Sequence, residues 1–157
     1  NSQHMANLDL QEFIDHLRPY LESKNIDIDN HPKRDLLVDS MRSSANNLAG
    51  VALNLVCYFH DVVEYNQKAI DKFIGSSNEV LVDLKEKLIN LDDWNEDSID
   101  KLLVTYREAK ELSVPKVNQP LRIALTGSTQ SPSLGMTLSL FEKEEAISRI
   151  EKLINVI

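Results

Sequence analysis

The segment between Glu111 and Glu142 is the part of this chain whose residue types could do chemistry. It contains no Asp or Glu, although the whole chain of 157 residues has 25 acidic residues against 17 Lys and Arg. Lys116 and Arg122 make the local charge of this segment positive. Its loop, residues 127–133, is rich in small polar residues that let another polymer approach the backbone closely.

Hydroxyl, amide and backbone N–H groups of this kind can hydrogen-bond the exposed base edges of single-stranded RNA. The segment could therefore form an RNA-reading surface. On composition alone, an ordinary polar loop between two helices is the favoured interpretation.

The composition of the whole chain limits the classes of protein that need to be considered. The net charge of −8 argues against general nucleic-acid coating, because that binding depends on an excess of Lys and Arg. The 42% hydrophobic and 27% charged residues are typical of a globular protein. No apolar run approaches the roughly 20 residues that cross a bilayer. We therefore expect no membrane role, and the single cysteine favours a reducing, cytoplasmic setting.

Signatures of catalysis and metal binding are absent from the sequence. It has no glycine-rich phosphate loop, no nucleophile elbow and no His-Glu-x-x-His pair. The single cysteine, Cys57, has no His or Lys neighbour in sequence that would activate it, and we interpret it as a small apolar side chain. His60 and Asp61 are adjacent, and we interpret them as a solvated pair. We expect no catalytic residue, cofactor site or metal site in this chain.

Apolar residues at helical spacing predict an all-α fold with about nine helices. The predicted helix starts have polar side chains that can cap them: Asp9, Asn46 or Asn47, Asn66, Ser77 and Asn95. Pro19 predicts a kink or a division in the first helix, and Pro115 predicts the end of the helix that Asn95 begins. Trp94 could stack on a base, but we expect it to pack as an apolar staple at that helix start.

The chain organisation predicted from these elements is two helical subdomains. Residues 1–5, which read as the remnant of a cleaved tag, are excluded from the fold. Gly75 is predicted to close a short helix, and the boundary is placed there, between residues 6–75 and 76–157. Each half is small enough that its core would be marginal alone, so we expect the two halves to pack on one another.

The residues from 118 to 134, NQPLRIALTGSTQSPSL, resemble the C-terminal anticodon-binding region of bacterial-type glutamyl-tRNA synthetases. The family pattern is Gln/Met-Pro-Leu-Arg-x-Ala-Leu/Val-Thr-Gly, followed by Ser/Thr-Pro-x-Leu. Trp94-Asn95-Glu96 is similar to the family's Trp-Thr-x-Glu corner, and residues 143–150 are similar to its Lys-containing C-terminal pattern. Weaker similarity extends upstream through residues 17–21 and 56–59 and covers essentially the whole chain.

The resemblance implies a pair of helical subdomains, the helix cage, of which the first contacts the tRNA stem and the second binds the anticodon. It implies tRNA(Glu) as the partner and a monomeric ligase (class I aminoacyl-tRNA synthetase) as the parent protein. In such a ligase a separate N-terminal catalytic domain, absent from this chain, uses ATP and Mg²⁺ to attach glutamate to tRNA. This chain alone is not expected to be catalytic.

The resemblance also implies which residues contact the anticodon. The arginine of the family motif and the Ser/Thr-Pro-x-Leu turn, which contact the first two anticodon bases, correspond to Arg122, Ser131, Pro132 and Leu134. A helical protein-interaction module that kept the fold but lost tRNA binding is the alternative function, and the net charge of −8 is consistent with it.

The region that would read the third anticodon base departs from the family pattern. Family members that discriminate at this base have an arginine where a gapless count places Ser44, and the nearest arginine here is Arg42. Two alternatives stay open. Either Arg42 acts from a shifted position, or discrimination is relaxed and tRNA(Gln) is accepted as a second partner.

Overall fold

The computed structural model describes residues 7–157, whose regular secondary structure is entirely helical. Within this part of the chain there are nine α-helices and two short 3-10 helices, and there is no β-strand. The predicted all-α fold with about nine helices is confirmed. The segment interpreted as a tag remnant, residues 1–5, lies outside the described residues.

The first of two compact units extends to Asp61. Its elements are α1 (Leu10–Glu22), α2 (Arg34–Met41) and α3 (Leu48–Leu55), with 3-10 helices at Ile28–Asn30 and Val56–Tyr58. α1 packs against α2 and α3 through Phe13, Ile14 and Leu17, which are all fully buried. Burial of such side chains contributes about 1.5–3 kcal/mol each, so this face of α1 holds the unit together.

Local signals in the first unit behave largely as predicted. Asp9 accepts a hydrogen bond from the backbone N–H of Glu12 at 2.8 Å, and Asn47 accepts one from Gly50 at 2.7 Å. These bonds satisfy donors that have no partner inside a helix. α1 continues through Pro19 to Glu22, so the helix is not divided there.

On the surface of the first unit, one carboxylate lies between two arginines and forms ion pairs with both. Asp29 accepts from Arg18 at 2.8 Å and from Arg34 at 2.8 Å. The hydrogen bond from Arg18, which has the largest effect, and that from Arg34 lower the pKa of Asp29 to about 2. The carboxylate therefore stays charged well into the acid range.

The second unit begins at Val62 and contains the remaining six described α-helices. They are α4 (Gln67–Phe73), α5 (Glu79–Ile89), α6 (Glu96–Lys110), α7 (Val114–Thr126), α8 (Leu134–Ser139) and α9 (Lys143–Val156). Asn66 and Asn95 cap α4 and α6 as predicted, accepting from backbone N–H groups at 3.1 Å and 2.9 Å. The N-cap of α5 is Asn78 rather than Ser77.

The helix α7 is central to the second unit because it contacts each of the other five helices. Its buried side chains include Val117, Leu121 and Leu125. Pro115 does not stop α6 as predicted. α6 has already ended at Lys110, and Pro115 lies in the first turn of α7, where a missing N–H costs nothing.

The division between the two units falls between Asp61 and Val62, before α4. Our sequence boundary lies further along, at Gly75. Gly75 does adopt the left-handed conformation that ends a helix, with φ of 66°. A glycine of this kind ends a helix locally, whereas packing decides the unit to which the helix belongs, and α4 packs against α7.

Candidate nucleic-acid interface

Arg122 lies half-buried on α7, and its guanidinium is held by three neutral acceptors. Its Nε donates to Ser131 Oγ at 2.7 Å, its Nη2 to the Pro132 carbonyl at 3.4 Å and its Nη1 to Gln119 Oε1 at 3.4 Å. The contacts bring Arg122, Ser131 and Pro132 together, although they are separated by up to ten positions in the chain. The guanidinium plane is therefore fixed by the loop.

No carboxylate forms an ion pair with Arg122 among residues 7–157. Burial lowers the pKa of this guanidinium from its ordinary value, because desolvation disfavours the charged form. An arginine nevertheless remains protonated at neutral pH. The site thus holds a positive charge that the protein itself does not neutralise.

A buried hydroxyl supports the loop from below. Thr137 of α8 is completely buried, and its Oγ1 lies 3.1 Å from Ser131 Oγ, 3.2 Å from the Pro132 carbonyl and 3.0 Å from the Ser133 carbonyl. Ser131 Oγ also lies 2.8 Å from the Pro132 carbonyl, to which it can donate. A chain of hydrogen bonds therefore runs from Arg122 through Ser131 to the buried side of α8.

Gly127 sets the direction in which the chain leaves α7. It has φ of 81°, a left-handed conformation that favours glycine. A Cβ at this position would lie 2.8 Å from the carbonyl oxygen of Glu64 and 3.0 Å from Val62 Cγ1. Its carbonyl accepts from the backbone N–H of Asn66 at 3.1 Å. Only a residue without a side chain fits here unchanged.

Two further hydroxyls secure the same turn. Thr126 Oγ1 donates to the Arg122 carbonyl at 2.8 Å or to the Ser128 carbonyl at 3.1 Å, and accepts from the Ser128 N–H at 3.2 Å. Ser133 caps α8 by accepting from Met136 N–H at 3.4 Å. The loop is thus bonded to the helices at both of its ends.

Leu134 is placed differently from the other three predicted anticodon residues. Its side chain is only 2% exposed and anchors the start of α8 in the core. A contact from Leu134 to RNA would therefore have to use its backbone. Ser131 and Pro132 are partly exposed beside Arg122.

The two residues of the predicted third-base region lie in the first unit. Arg42 follows α2, and its guanidinium lies over the Phe13 ring at 5.0 Å, contacts the Leu8 carbonyl and lies 3.6 Å from Asp39. Ser44 is exposed, and its Oγ and carbonyl both accept from Asn54 Nδ2, at 3.2 Å and 3.3 Å. Arg42 is thus engaged in packing its own unit.

Trp94, the side chain that could have stacked on a base, forms a hydrogen bond inside the protein. Its indole N–H donates to the Phe141 carbonyl at 3.0 Å. Lys143 donates to the Leu91 carbonyl at 2.7 Å, and the buried Arg149 donates to the Leu125 carbonyl at 2.7 Å. These three side chains therefore tie α9 and the segment before it to the rest of the unit.

Sequence reasoning missed Thr137 and Gln119 as parts of the site. A signal for Thr137 was available, because a Thr four residues after Ser133 can donate back to its carbonyl within a helix. Gln119 lies one helical turn before Arg122, so the two side chains can meet. The hydrogen bond from Asn66 to the Gly127 carbonyl and the close approach of Glu64 to Gly127 leave no trace at the level of local spacing.

Among the described residues, no group of three or more His, Cys, Asp or Glu side chains could hold a metal ion. Over the same residues, no helix combines the length and the apolar character needed to cross a bilayer.

Comparison with known proteins shows which class of protein has this fold. Residues 12–154 match the family described as the anticodon binding domain, and the chain belongs to that family. The resemblance stated from the sequence is therefore confirmed.

Similar individual proteins include glutamate–tRNA ligases. The chain is 33% identical over 153 residues to the ligase of Myxococcus xanthus and 34% identical over 152 residues to that of Legionella pneumophila. Each match covers 96% of this chain and 32% of the relative. The crystal structure of a glutamate tRNA ligase from Elizabethkingia meningosepticum has a TM-score of 0.86 with 24% identity, covering 99% of this chain and 31% of that one. The chain thus spans about a third of the length of these ligases.

Proposed function

We propose that this chain is the tRNA-anticodon-binding part of a glutamate–tRNA ligase and that Arg122 reads the anticodon of tRNA(Glu). The observation that carries this proposal is the half-buried Arg122 without a carboxylate partner, held by loop oxygens in an acid-free segment. An unneutralised guanidinium can stack on a base and donate to its acceptors. Membership of the anticodon binding domain family supports the same role.

The hydrogen bonds of the site supply pre-organisation. Because Ser131 and Pro132 hold the guanidinium before RNA arrives, little side-chain entropy is lost on binding. Ser131 and Pro132 would themselves contact the first two bases, with Leu134 contributing its backbone. The overall charge of −8 makes non-specific phosphate attraction weak, so base contacts must supply much of the discrimination.

The parent protein would be a class I aminoacyl-tRNA synthetase, acting in the cytoplasm as a monomer. Its catalytic domain, in the same chain as this one, would use ATP and Mg²⁺ to attach glutamate. Those cofactors would be held by residues outside this chain. The residues of this chain would bind and orient the tRNA.

The first unit would contact the tRNA stem and the third anticodon base. Arg42 is already engaged with Phe13, Leu8 and Asp39, which favours relaxed discrimination at that base over reading by a shifted arginine. We therefore expect Ser44 and its neighbours to tolerate tRNA(Gln) as well as tRNA(Glu).

The proposal is tested by measuring the Kd of this chain for tRNA(Glu) and for a tRNA(Glu) whose first two anticodon bases are changed. The two should differ for the unchanged protein, and Arg122→Ala should weaken tRNA(Glu) binding by about 1–3 kcal/mol and reduce the difference. Lys116→Ala is the control. It removes an exposed cation of the same segment and should weaken the binding of both RNAs equally. The slope of the logarithm of the binding constant against the logarithm of the salt concentration should become smaller by about one.

Equal affinity of the unchanged protein for both RNAs, at low and at moderate salt, would contradict anticodon reading. Absence of any salt-dependent binding would favour the alternative, a helical protein-interaction module that kept the fold and lost tRNA binding.

A further inference from the structure

A groove of about 670 Å³ lies between α5 and α6, on a part of the second unit that the RNA site does not use. We call it the α5–α6 groove. Lys87 and Leu91 line it from the α5 side, and one continuous stripe of α6 lines it from the other.

The α6 stripe has the spacing of a helix-packing face. Its lining positions begin at Ser98 and continue through Lys101, Leu102, Thr105 and Tyr106 to Lys110. These are the i, i+3, i+4, i+7, i+8 and i+12 positions, the spacing of a face that meets a second helix lying alongside. A face of this length and periodicity suits an incoming helix.

Charge specifies the chemistry of that helix. Three lysines line the groove, and none of its lining residues is Asp or Glu, in a chain whose net charge is −8. Among the described residues, Lys87 and Lys101 form no ion pair, whereas Lys110 lies 3.9 Å from Glu79 and from Asp83. Lys101 and Lys110 are separated by nine residues, or about 13.5 Å along α6. Carboxylates two to three turns apart on one helix would match them.

RNA fits this groove less well than an acidic helix does. Tyr106 is the one aromatic side chain lining the groove, and it is only 3% exposed, with its hydroxyl donating to Asp83 at 2.8 Å and Lys87 lying 6.0 Å from its ring centroid. No aromatic face is therefore presented for base stacking. A phosphate backbone would use the lysines but would leave Leu91, Leu102 and Ala109 without an apolar partner.

We propose that the α5–α6 groove docks an acidic amphipathic helix of a partner protein. Apolar side chains of that helix would cover Leu91 and Leu102, and its carboxylates would pair with Lys87, Lys101 and Lys110. This is the helix-in-groove mode of peptide recognition. It is independent of the RNA site around Arg122.

The probe is a synthetic peptide of about 14 residues, long enough to form a helix on binding, with Leu at helical spacing and Glu elsewhere. Its binding to the 157-residue chain is measured by fluorescence anisotropy. We expect the double variant Lys87→Glu and Lys101→Glu to weaken binding about tenfold, because two attractions become repulsions. The matched control is Lys68→Glu with Lys72→Glu, which makes the same charge change at exposed positions of α4.

Support requires binding that the groove variant weakens and the control variant does not, together with loss of binding when the same residues are scrambled out of helical register. Failure of the patterned peptide to bind, or equal weakening by both variants, would overturn the proposal. Protection of Lys87 and Lys101 from acetylation by tRNA alone would assign the groove to RNA. Self-association of the chain that Lys101→Glu abolishes would assign it to a second copy, and either result would refute a partner helix.

Discussion

Replacing Thr137 by Val tests whether a buried hydroxyl supports the protein loop, residues 127–133, that is proposed to contact the anticodon. The side chain is completely buried on α8, and its Oγ1 is within 3.2 Å of three oxygens, of Ser131, Pro132 and Ser133. Valine has nearly the same volume, so the substitution removes the hydrogen bonds without opening a large cavity.

The expected magnitude follows from the donors and acceptors involved. A threonine hydroxyl has one hydrogen, so it donates to a single carbonyl, here that of Ser133 or Pro132. Its loss removes one hydrogen bond, while both carbonyls keep another donor, the Thr137 N–H for Ser133 and the Ser131 hydroxyl for Pro132, so the net cost is about 0.5–1.5 kcal/mol. Ser131 loses its contact with the Thr137 hydroxyl at the same time, so the hydroxyl that accepts from Arg122 is held less firmly.

Two measurements check this prediction. The free energy of unfolding in urea should fall by about 0.5–1.5 kcal/mol in Thr137→Val, and by less than about 0.5 kcal/mol in the control Thr105→Val, an exposed position on α6. The preference for tRNA(Glu) over the anticodon-changed tRNA should also decrease. Thr137→Ser, which keeps the hydroxyl, should restore that preference.

An unchanged free energy of unfolding in Thr137→Val would refute the reasoning about the hydroxyl. Lost stability with undiminished RNA preference would show instead that Thr137 supports the fold and not the position of Arg122.

Three further predictions concern the supports of the fold. Gly127→Ala should lower the free energy of unfolding by about 1–3 kcal/mol, because the new Cβ meets the Glu64 carbonyl and the backbone is left-handed; an unchanged urea midpoint would contradict this. Asn95→Ala should lower the free energy of unfolding by about 1 kcal/mol through loss of its capping bond. Asn78→Ala, at an N-cap without such a bond, should lower it less, and thermal denaturation of both variants measures the difference. The pKa of Asp29 is lowered to about 2, so its contribution to stability is present above the unfolded-state pKa and is lost as the pH falls from about 4 through 2. Asp29→Asn should therefore destabilise the protein near neutral pH and much less near pH 2, where about half of the Asp29 carboxyl is protonated, and a pH-independent difference in unfolding would be inconsistent with this.

Helix starts were the most accurately predicted features of the fold. Asp9, Asn66 and Asn95 cap the helices for which they were predicted, because a capping bond joins residues only three positions apart. Pro115 was harder to interpret, since proline is compatible both with the end of one helix and with the first turn of the next. Because α6 ends at Lys110, Pro115 belongs to the first turn of the next helix.

The candidate site shows the same contrast between local and distant information. Arg122, Ser131 and Pro132 were predicted as a group from the resemblance of their segment to a family pattern, and the structure brings them together. The burial of Leu134 and the engagement of Arg42 with Phe13 were not predictable in this way. Both depend on helices that meet only after the chain has folded.

The sequence by itself determined the all-helical class, most of the caps and the acid-free segment, because each rests on residue types and short-range spacing. It also determined the family, through a motif within one continuous segment. The tertiary structure alone decided that α4 belongs with the second unit, that Thr137 lies beneath the loop and that three lysines line one groove. Those facts follow from packing between helices distant in the chain, whose contacts no local pattern encodes.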